Sequence, residues 1–464
     1  MPAPSASLSR RGFLGAAAGA LALGRAPFAS LVSTRSTRPV PSPAQLAWQR
    51  DELALFLHFG VNTFSNREWG DGTEDPAIFA PTALDTRQWA RTARAAGFRA
   101  MILTAKHHDG FCLWPTGTTT HSVTGSPWRG GGGDLVREFV EACRAEGLRA
   151  GLYCSPWDRN APAYGDSPTY NEFYVDQLTE LLSRYGPIHE IWFDGANGEG
   201  PNGRRQVYDW PRFFDLVHRL QPEAVIFSDA GPDVRWIGNE QGEAGDPNWA
   251  TVDPAAVPYP GASGEGVTRA LLHGDPAGSL WRPGETDTSI RPGWFYHPAE
   301  DDGVRTVDQL VRLYFTSVGR NSKLLLNVPP TREGVLHSTD VARLTGMRSA
   351  LASLFAEDLV SGRQVSWRPT GATTAAAEVD LGRSVAVGIA DLREQIEYGQ
   401  VIARYRLEGS NGGAWQLLAR GTTIGCRKLD RFTPATVRRV RLHIEEAVGA
   451  PRPVTLGLYA GAER

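Results

Sequence analysis

The chain has 464 residues, a length that suits one large domain followed by a smaller one. Hydrophobic residues make up 41% of it, enough for a substantial core, and the formal net charge of −3 shows no basic excess. This charge argues against nucleic acid and against an anionic membrane surface as binding partners.

The amino-terminal segment carries an export-like pattern. Arg10 and Arg11 are followed by small and apolar residues up to Leu23, which resembles a twin-arginine export signal. The apolar stretch is too short to span a bilayer as a stable anchor. We therefore expect residues 1–43 to be a signal peptide with a disordered lead-in, and the protein to be exported, either periplasmic or secreted.

Strand-like and helix-like segments alternate from Leu53 to about Asp358. The predicted strands are Leu53–Gly60, Ala100–Lys106, Arg149–Ser155, Ile188–Gly195, Ala224–Ala230, Val234–Gly238, Gly293–His297 and Lys323–Val328. The predicted helices are Thr86–Ala96, Leu135–Glu146, Tyr170–Tyr185, Trp210–Leu220, Val307–Val318 and Thr339–Glu357. Eight strands that alternate with helices predict an α/β fold, a TIM-like (β/α)8 barrel over residues 44–358.

Two regions depart from this alternation. The segment Gly231–Thr288 is rich in Gly and Pro and lacks periodicity, so we expect a long loop that covers the active face of the barrel. After Val360, short alternating runs separated by turn residues predict an all-β sandwich or jelly roll over residues 359–464.

The strand Ile188–Gly195 ends on a carboxylate, Asp194, for which a buried strand has no structural need. Alternation along the strand puts Trp192 on the same face as Asp194, so a flat aromatic ring lies beside the carboxylate. Active sites of parallel barrels lie at the carboxyl ends of their strands. Because this pairing suits a sugar ring, Asp194 is predicted to be the nucleophile of a glycosidase.

Further polar and aromatic residues lie at or just after the ends of the first three strands: His58, His107, His108, Tyr153 and Trp157. On a barrel these strand ends converge near Asp194. Neighbours in sequence are poorly spaced to bind one metal ion, so His107 and His108 favour hydrogen bonding to sugar hydroxyls, and we expect no metal and no cofactor. A serine hydrolase is disfavoured because the chain has no G-x-S-x-G motif.

These motifs resemble those of the α-L-fucosidases of glycoside hydrolase family twenty-nine. The resemblance runs from about Leu53 to Asn327 and is carried by His58–Gly60, Lys106–Phe111 and Trp192–Gly200. It implies that Asp194 is the nucleophile of a retaining enzyme and that His58, His107 and His108 bind fucose. By the same resemblance Glu68, Trp69, Tyr153 and Trp192 belong to the sugar pocket, and Trp157 and Trp294 are candidates for further sugar contacts.

A retaining glycosidase also needs an acid/base carboxyl about 5–5.5 Å from its nucleophile. The segment Arg235–Gly242 resembles the one that holds the acid/base glutamate in the branch of the family acting on α-1,3/1,4-linked fucose, which implies Glu240 and a Lewis-type branched substrate. Spacing alone leaves Glu243, Asp246 and Glu285 as competitors.

Two functional alternatives stay open: a broader α-L-fucosidase that also cleaves α-1,2 links and aryl fucosides, and a catalytically silent glycan-binding protein. The segments Trp157–Arg159 and Gln206–Trp210 are candidates for binding a second sugar. The carboxyl-terminal region resembles discoidin-like galactose-binding domains, for which we favour a structural role.

Overall fold

In the computed structural model, which describes residues 38–461, eight parallel strands close into a barrel. In chain order they are β1 (Leu53–Leu57), β2 (Ala100–Lys106), β3 (Arg149–Cys154), β4 (Glu190–Trp192), β5 (Val225–Ser228), β6 (Val234–Trp236), β7 (Gly284–Ser289) and β8 (Ser322–Asn327). Each strand pairs with the next, and β8 pairs with β1. The predicted (β/α)8 barrel is confirmed.

Nine α-helices lie within the described residues. They are α1 (Pro43–Arg50), α2 (Val61–Ser65), α3 (Thr86–Ala95), α4 (Leu135–Ala145), α5 (Ser167–Arg184), α6 (Trp210–Leu220), α7 (Glu265–His273), α8 (Val307–Thr316) and α9 (Ser338–Leu354). Several begin where an aspartate accepts a hydrogen bond from the backbone N–H three residues on, as Asp85, Asp134 and Asp209 do. None of these helices has the length and the apolar character that crossing a bilayer requires.

The barrel divides its apolar side chains into an inner and an outer core, as the alternation along a strand requires. On β4, Ile191 and the following Phe193 join the outer core between strands and helices. Trp192 points inward, where it joins Tyr153 and Phe56. Asp194, two residues after Trp192, therefore lies over the carboxyl end of the barrel interior, as predicted.

The predicted seventh strand, Gly293–His297, is wrong. That segment is an irregular loop, and the seventh strand is β7, whose residues are Gly-Glu-Thr-Asp-Thr-Ser. The prediction relied on apolar residues and therefore placed the strand at the aromatic run around Trp294. Strand β7 gave no such signal, because it contains no apolar side chain. Its residues are nevertheless buried, and the inward-facing Glu285 and Asp287 meet other polar groups inside the barrel.

The segment Gly231–Thr288 is also more ordered than predicted. Besides β6, it contains helix α7, most of β7 and a short antiparallel ribbon that pairs Thr251–Val252 with Leu280–Trp281. The regular elements are too short, and their loops too rich in Gly and Pro, to give a periodic pattern. Its irregular remainder is divided between the two ends of the barrel, and Gly261 lies beside Gly195 at the carboxyl end.

A second, antiparallel β domain follows α9, as predicted. Its strands are β9 (Ser366–Pro369), β10 (Ala375–Arg393), β11 (Ile402–Ser410), β12 (Gln416–Gly421), β13 (Lys428–Ala447) and β14 (Thr455–Tyr459). The long strands β10 and β13 pair with each other. Strands β9 and β14 pair with β10, β11 pairs with β13, and β12 pairs with β11. The domain has its own apolar core, which includes Val379, Leu407 and Leu442.

Ion pairs fasten this β domain to the amino-terminal end of the barrel strands. Glu52, which precedes β1, contacts Arg427 at 2.8 Å and Arg393 at 3.1 Å. Arg427 also contacts Asp391 at 2.7 Å. These ion pairs hold the β domain at the amino-terminal end of the strands, opposite the end where Asp194 lies.

The amino-terminal end of the barrel interior encloses a charged cluster. Lys323 Nζ lies 2.9 Å from Glu190 Oε2 and 3.7 Å from Glu285 Oε2, and all three side chains are buried. The indole N–H of Trp48, on α1, donates to Glu190 at 2.8 Å and closes the cluster from below. Burial and the neighbouring Glu190 raise the pKa of Glu285 well above its usual range. The cluster explains why an interior strand position carries Glu190.

The predicted signal segment lies outside the described residues, apart from its last few positions. Pro43, which the prediction assigns to the lead-in, is the first residue of α1.

Candidate active site

Asp194 occupies the loop that follows β4 and keeps 27% of its side chain exposed. Its Oδ2 accepts a hydrogen bond from the Tyr153 hydroxyl at 3.0 Å, and its Oδ1 accepts the backbone N–H of Ala196 at 2.7 Å. His108 Nε2 lies 3.7 Å from Oδ2. The carboxylate is therefore held in one orientation while part of it stays accessible from the barrel mouth.

The ring nitrogen of His108 that faces Asp194 is Nε2, and it carries no proton. Its Nδ1 lies 2.7 Å from Ser155 Oγ, and that hydroxyl uses its only proton to donate to the Trp157 carbonyl at 2.7 Å. Ser155 must therefore accept from His108, which assigns the ring proton to Nδ1. Burial lowers the pKa of His108, although the charge of Asp194 opposes the fall. In this neutral tautomer, Nε2 can accept a hydrogen bond from a hydroxyl group.

His58 is fixed in the same tautomer by a different partner. The side-chain amide of Asn327 donates to Ser289 Oγ at 2.9 Å and to the Trp294 carbonyl at 2.8 Å. Its Oδ1 consequently faces His58 Nδ1, 2.9 Å away, and must accept a proton from it. Burial lowers the pKa of His58 to about 4, so the ring is neutral near neutral pH.

His107 lies between the other two imidazoles. Its ring centroid is 4.2 Å from that of His108 and 5.5 Å from that of His58, and the ring stacks on Tyr153 at 5.7 Å. Burial, followed by the two neighbouring histidines, lowers the pKa of His107 well below its usual range. The structure thus brings together three neutral imidazoles, which suit hydroxyl groups better than an anionic ligand.

The predicted aromatic residues surround this group. The Trp294 and His58 ring centroids are 5.1 Å apart, and Trp157 lies 4.8 Å from His108. Trp69 stands at the rim, 57% exposed, with its ring edge-on to His108 at 6.0 Å. Trp192 lies deeper: it stacks on Phe227 at 4.0 Å, and its indole N–H donates to Glu285 at 3.0 Å.

Glu68 already has partners in the loop that carries Trp294. One of its oxygens accepts the Trp294 backbone N–H, and the other accepts that of Phe295 at 3.2 Å and lies 3.0 Å from His297 Nε2. Glu68 therefore fixes this loop against the rim. Its predicted contact with the sugar stays a prediction.

Glu240 follows β6 at the exposed rim of the mouth. Desolvation raises the pKa of its carboxyl, the negative charges of Asp194 and Glu68 raise it further, and a hydrogen bond from Trp294 opposes the rise. Glu240 is thus close enough to Asp194 for their charges to interact, and its environment favours the protonated form.

The three competitors of Glu240 are engaged elsewhere. Glu243 pairs with Arg312 at 3.6 Å on the surface. Asp246 pairs with Lys428 of the β domain at 2.6 Å. Glu285 belongs to the charged cluster inside the barrel. Of the proposed second-sugar residues, Asp158 is buried and binds Lys106 at 3.0 Å, so it is not available to a ligand.

Two carboxyl groups near the site were missed from the sequence. Asp287, on β7, accepts the Trp236 indole N–H at 2.7 Å, and burial together with the charge of Glu240 raises its pKa well above the usual range. Asp229 follows β5, where burial and Asp194 raise its pKa to about 6. Asp229 also ends a strand, a position that could have indicated it, whereas Asp287 lies in the unrecognised β7.

Among residues 38–461, no three His, Cys, Asp or Glu side chains are placed to share a metal ion. The site consists instead of an accessible strand-end carboxylate, neutral imidazoles, aromatic rings and a second carboxyl group of raised pKa. A partly exposed carboxylate and a second carboxyl group that favours its protonated form, beside a hydroxyl-binding pocket, are the groups that a glycoside hydrolase requires.

Comparison with known proteins identifies the kind of glycoside hydrolase. The family model described as alpha-L-fucosidase matches residues 61–353. Alpha-L-fucosidase 1 of Arabidopsis thaliana is 41% identical over 450 residues, which cover 91% of this chain and 87% of that protein.

Solved structures agree. A glycoside hydrolase 29 family member from an unknown rumen bacterium is 39% identical, with a TM-score of 0.85 over 92% of this chain and 78% of that one. A family 29 fucosidase of Ruminococcus gnavus, solved in complex with fucose, is 30% identical, with a TM-score of 0.82 over 92% and 95% of the two chains. The chain therefore belongs to the α-L-fucosidases of glycoside hydrolase family 29, which are retaining hydrolases.

Proposed function

We propose that this α-L-fucosidase releases L-fucose from α-1,3/1,4-fucosylated, Lewis-type branched glycans, with Asp194 as the nucleophile and Glu240 as the general acid/base. The observation that carries the proposal is the electrostatic pair at the mouth. Asp194 is accessible and held by Tyr153, and Glu240 is near enough for Asp194 to raise its pKa. A donor and a nucleophile are the two carboxyl groups that double displacement requires.

In the first step, an Asp194 oxygen attacks the anomeric carbon while Glu240 gives its proton to the glycosidic oxygen. The bond between the anomeric carbon and that oxygen breaks, and the rest of the glycan leaves as an alcohol. In the second step, the Glu240 carboxylate takes a proton from water, whose oxygen attacks the same carbon and displaces Asp194. Two inversions at one carbon give net retention.

The neutral imidazoles bind the sugar and take no part in breaking the glycosidic bond. His58 and His108 each direct an unprotonated Nε2 towards the pocket, because Asn327 and Ser155 hold their Nδ1 protons. Each can accept a hydrogen bond from a fucose hydroxyl. The resemblance of Arg235–Gly242 to the α-1,3/1,4 branch supports the linkage. The engagement of Glu243, Asp246 and Glu285 elsewhere supports Glu240 as the acid/base.

The test is release of free fucose from a Lewis-type trisaccharide and from 2′-fucosyllactose, each with wild type and with Asp194→Ala. Rapid release from the branched sugar alone, lost in the variant, is expected. Release from both sugars would contradict the linkage and favour the broader enzyme. Release by Asp194→Ala at the wild-type rate would contradict the assigned nucleophile.

We also propose that the protein is exported through its amino-terminal twin-arginine motif. The support is the sequence pattern of Arg10 and Arg11 followed by a short apolar stretch. Replacing both arginines by lysine should keep the protein in the cytoplasm, as shown by cell fractionation and by the mass of its amino terminus. Export of this variant at the wild-type level would contradict the proposal.

A further inference from the structure

A turn of the loop after β6 returns to the residue next to Asp194. The backbone N–H of Gly261 donates to Asp229 Oδ2 at 2.7 Å, and the N–H of Ala262 donates to the Tyr259 carbonyl at 3.1 Å. The backbones of Gly261 and Gly195 touch, since a Cβ atom on Gly261 would lie 2.4 Å from the Gly195 oxygen. The turn is therefore fixed beside the proposed nucleophile.

Within this turn the apolar side chains point in two directions. Val257 and Pro260 are buried and anchor the turn, whereas Tyr259 between them is 58% exposed. Two residues of chain span at most about 7 Å, so the Cα atom of Tyr259 lies within that distance of Gly261. The Tyr259 backbone is thus held near the mouth, and more than half of the residue is exposed.

Exposed aromatic rings are rare in this protein. Among the large hydrophobic residues that are exposed in the described part, the aromatic ones are Trp69, Tyr259 and Tyr398. Arg452 covers Tyr398, in the β domain, at 4.1 Å, and Trp69 packs edge-on against Trp157 at 6.0 Å. For Tyr259, no aromatic ring or guanidinium among residues 38–461 packs on either side. The exposed part of the Tyr259 side chain is therefore accessible to a ligand.

We propose that Tyr259 is the stacking platform for the sugar that departs with the glycosidic oxygen, and that it makes the enzyme prefer an oligosaccharide over a small leaving group. The inference rests on the proposed function, because it takes Asp194 as the reacting carboxylate. A terminal fucose fills the pocket of buried histidines, so only its anomeric substituent extends through the mouth. Pyranose rings expose C–H faces that pack on aromatic rings.

The experiment compares a Lewis-type trisaccharide with α-L-fucosyl fluoride, whose leaving group has no ring to stack. Tyr259→Ala should lower kcat/KM for the trisaccharide about tenfold, as expected for loss of one aromatic contact. Its kcat/KM for the fluoride should stay within about twofold of wild type, since the reacting groups are untouched. Tyr259→Phe keeps the ring and should keep the activity on both substrates. Tyr398→Ala, at an exposed aromatic of the β domain, is the matched control.

Each failure has a distinct signature. Equal loss on both substrates would overturn the inference, because Tyr259 would then act on the pocket itself. An unchanged trisaccharide rate in Tyr259→Ala would overturn it as well, provided that wild type cleaves both substrates. If wild type cleaves the fluoride but not the trisaccharide, the proposed linkage has failed, and with it the inference. If wild type cleaves neither, the proposed function itself has failed.

Discussion

The two ends of the barrel interior are both polar, yet they are built in opposite ways. At the amino-terminal end, Glu190, Lys323 and Glu285 are buried and pair with one another, and Trp48 covers them. At the carboxyl-terminal end, Asp194 stays partly exposed, and the imidazoles keep nitrogens that no side chain occupies. Strand β4 supplies a member of each set, Glu190 at one end and Asp194 just beyond the other.

Polar side chains inside a barrel therefore do not by themselves indicate a ligand-binding site. A buried charge needs an opposite charge and hydrogen bonds, or its desolvation is not offset. At the amino-terminal end the protein provides both from its own residues, through Lys323 and two indole N–H groups. At the mouth it leaves acceptors unsatisfied, and a substrate can complete them.

The largest effect is expected at the mouth, on activity alone. Asp194→Ala should lower kcat about 10⁴-fold or more, because no other group replaces the nucleophile. The free energy of unfolding should change by about 0.5 kcal/mol or less, since the side chain lies at a loop and is partly exposed. Initial rates and urea unfolding of the same preparations measure the two. A strongly destabilised variant would show that this end is structural as well.

Glu240→Ala should lower the rate on a natural glycan by about 10²–10⁴-fold, the usual contribution of a general acid. Wild-type activity should fall as the pH rises through the raised pKa of Glu240, because the proton that it must donate is lost. That alkaline limb should vanish in the variant. Azide should rescue an activated fucoside with retained configuration, whereas a full wild-type rate without azide would move the acid/base role to another residue.

A change at the amino-terminal end of the barrel interior should lower the stability of the fold. Lys323→Met removes the cation between two buried carboxyl groups and should lower the free energy of unfolding by about 3–5 kcal/mol. Arg269→Met, which breaks an exposed ion pair with Glu265, is the control and should leave stability unchanged. Urea denaturation compares them. If Lys323→Met proves as stable as the control, the contrast between the two ends does not hold.

The last effect concerns the pH dependence of stability and Asp109, whose Oδ2 lies 3.9 Å from His107 Nδ1. Burial raises the pKa of Asp109 from 3.8 to about 7, with Glu74 and Asp158 adding to the rise. The folded protein thus binds this proton more tightly than the unfolded chain, so the free energy of unfolding falls as the pH rises between those values. Asp109→Asn stays neutral and should make that fall shallower. Asp253→Asn, at an exposed carboxylate, should leave the slope as it is in wild type.

Most of the barrel could be predicted from local pattern. Helix α6 was predicted with its observed bounds, since a capping Asp209 precedes a clear amphipathic segment. Strand β7 could not be found in this way. Its inward residues Glu285 and Asp287 are paired by Lys323, Trp192 and Trp236, which come from three other strands. A strand stabilised by such partners has no apolar signature of its own.

The site residues also fall into two groups, those that a local sequence pattern indicates and those that it does not. His58, His107, His108 and Asp194 follow strands that are apolar and easy to recognise, so their convergence could be expected. Glu240 came only from a family resemblance, because a glutamate in a loop has no distinguishing local pattern. Tyr259 could not be foreseen, since its place at the mouth depends on the contact between Gly195 and Gly261, far apart in the sequence.

That contact also determines how the enzyme can be altered. Any side chain at Gly261 would collide with the Gly195 backbone and push the turn away from the nucleophile, and the φ of +83° at Gly261 further disfavours substitution. The neighbouring Tyr259 and Ser263 are exposed and can vary without moving this anchor. The turn therefore combines a fixed contact between two glycines with two exposed positions that tolerate substitution. A library of substitutions at Tyr259 and Ser263, with both glycines kept, is the most direct way to obtain fucosidases that accept other leaving sugars.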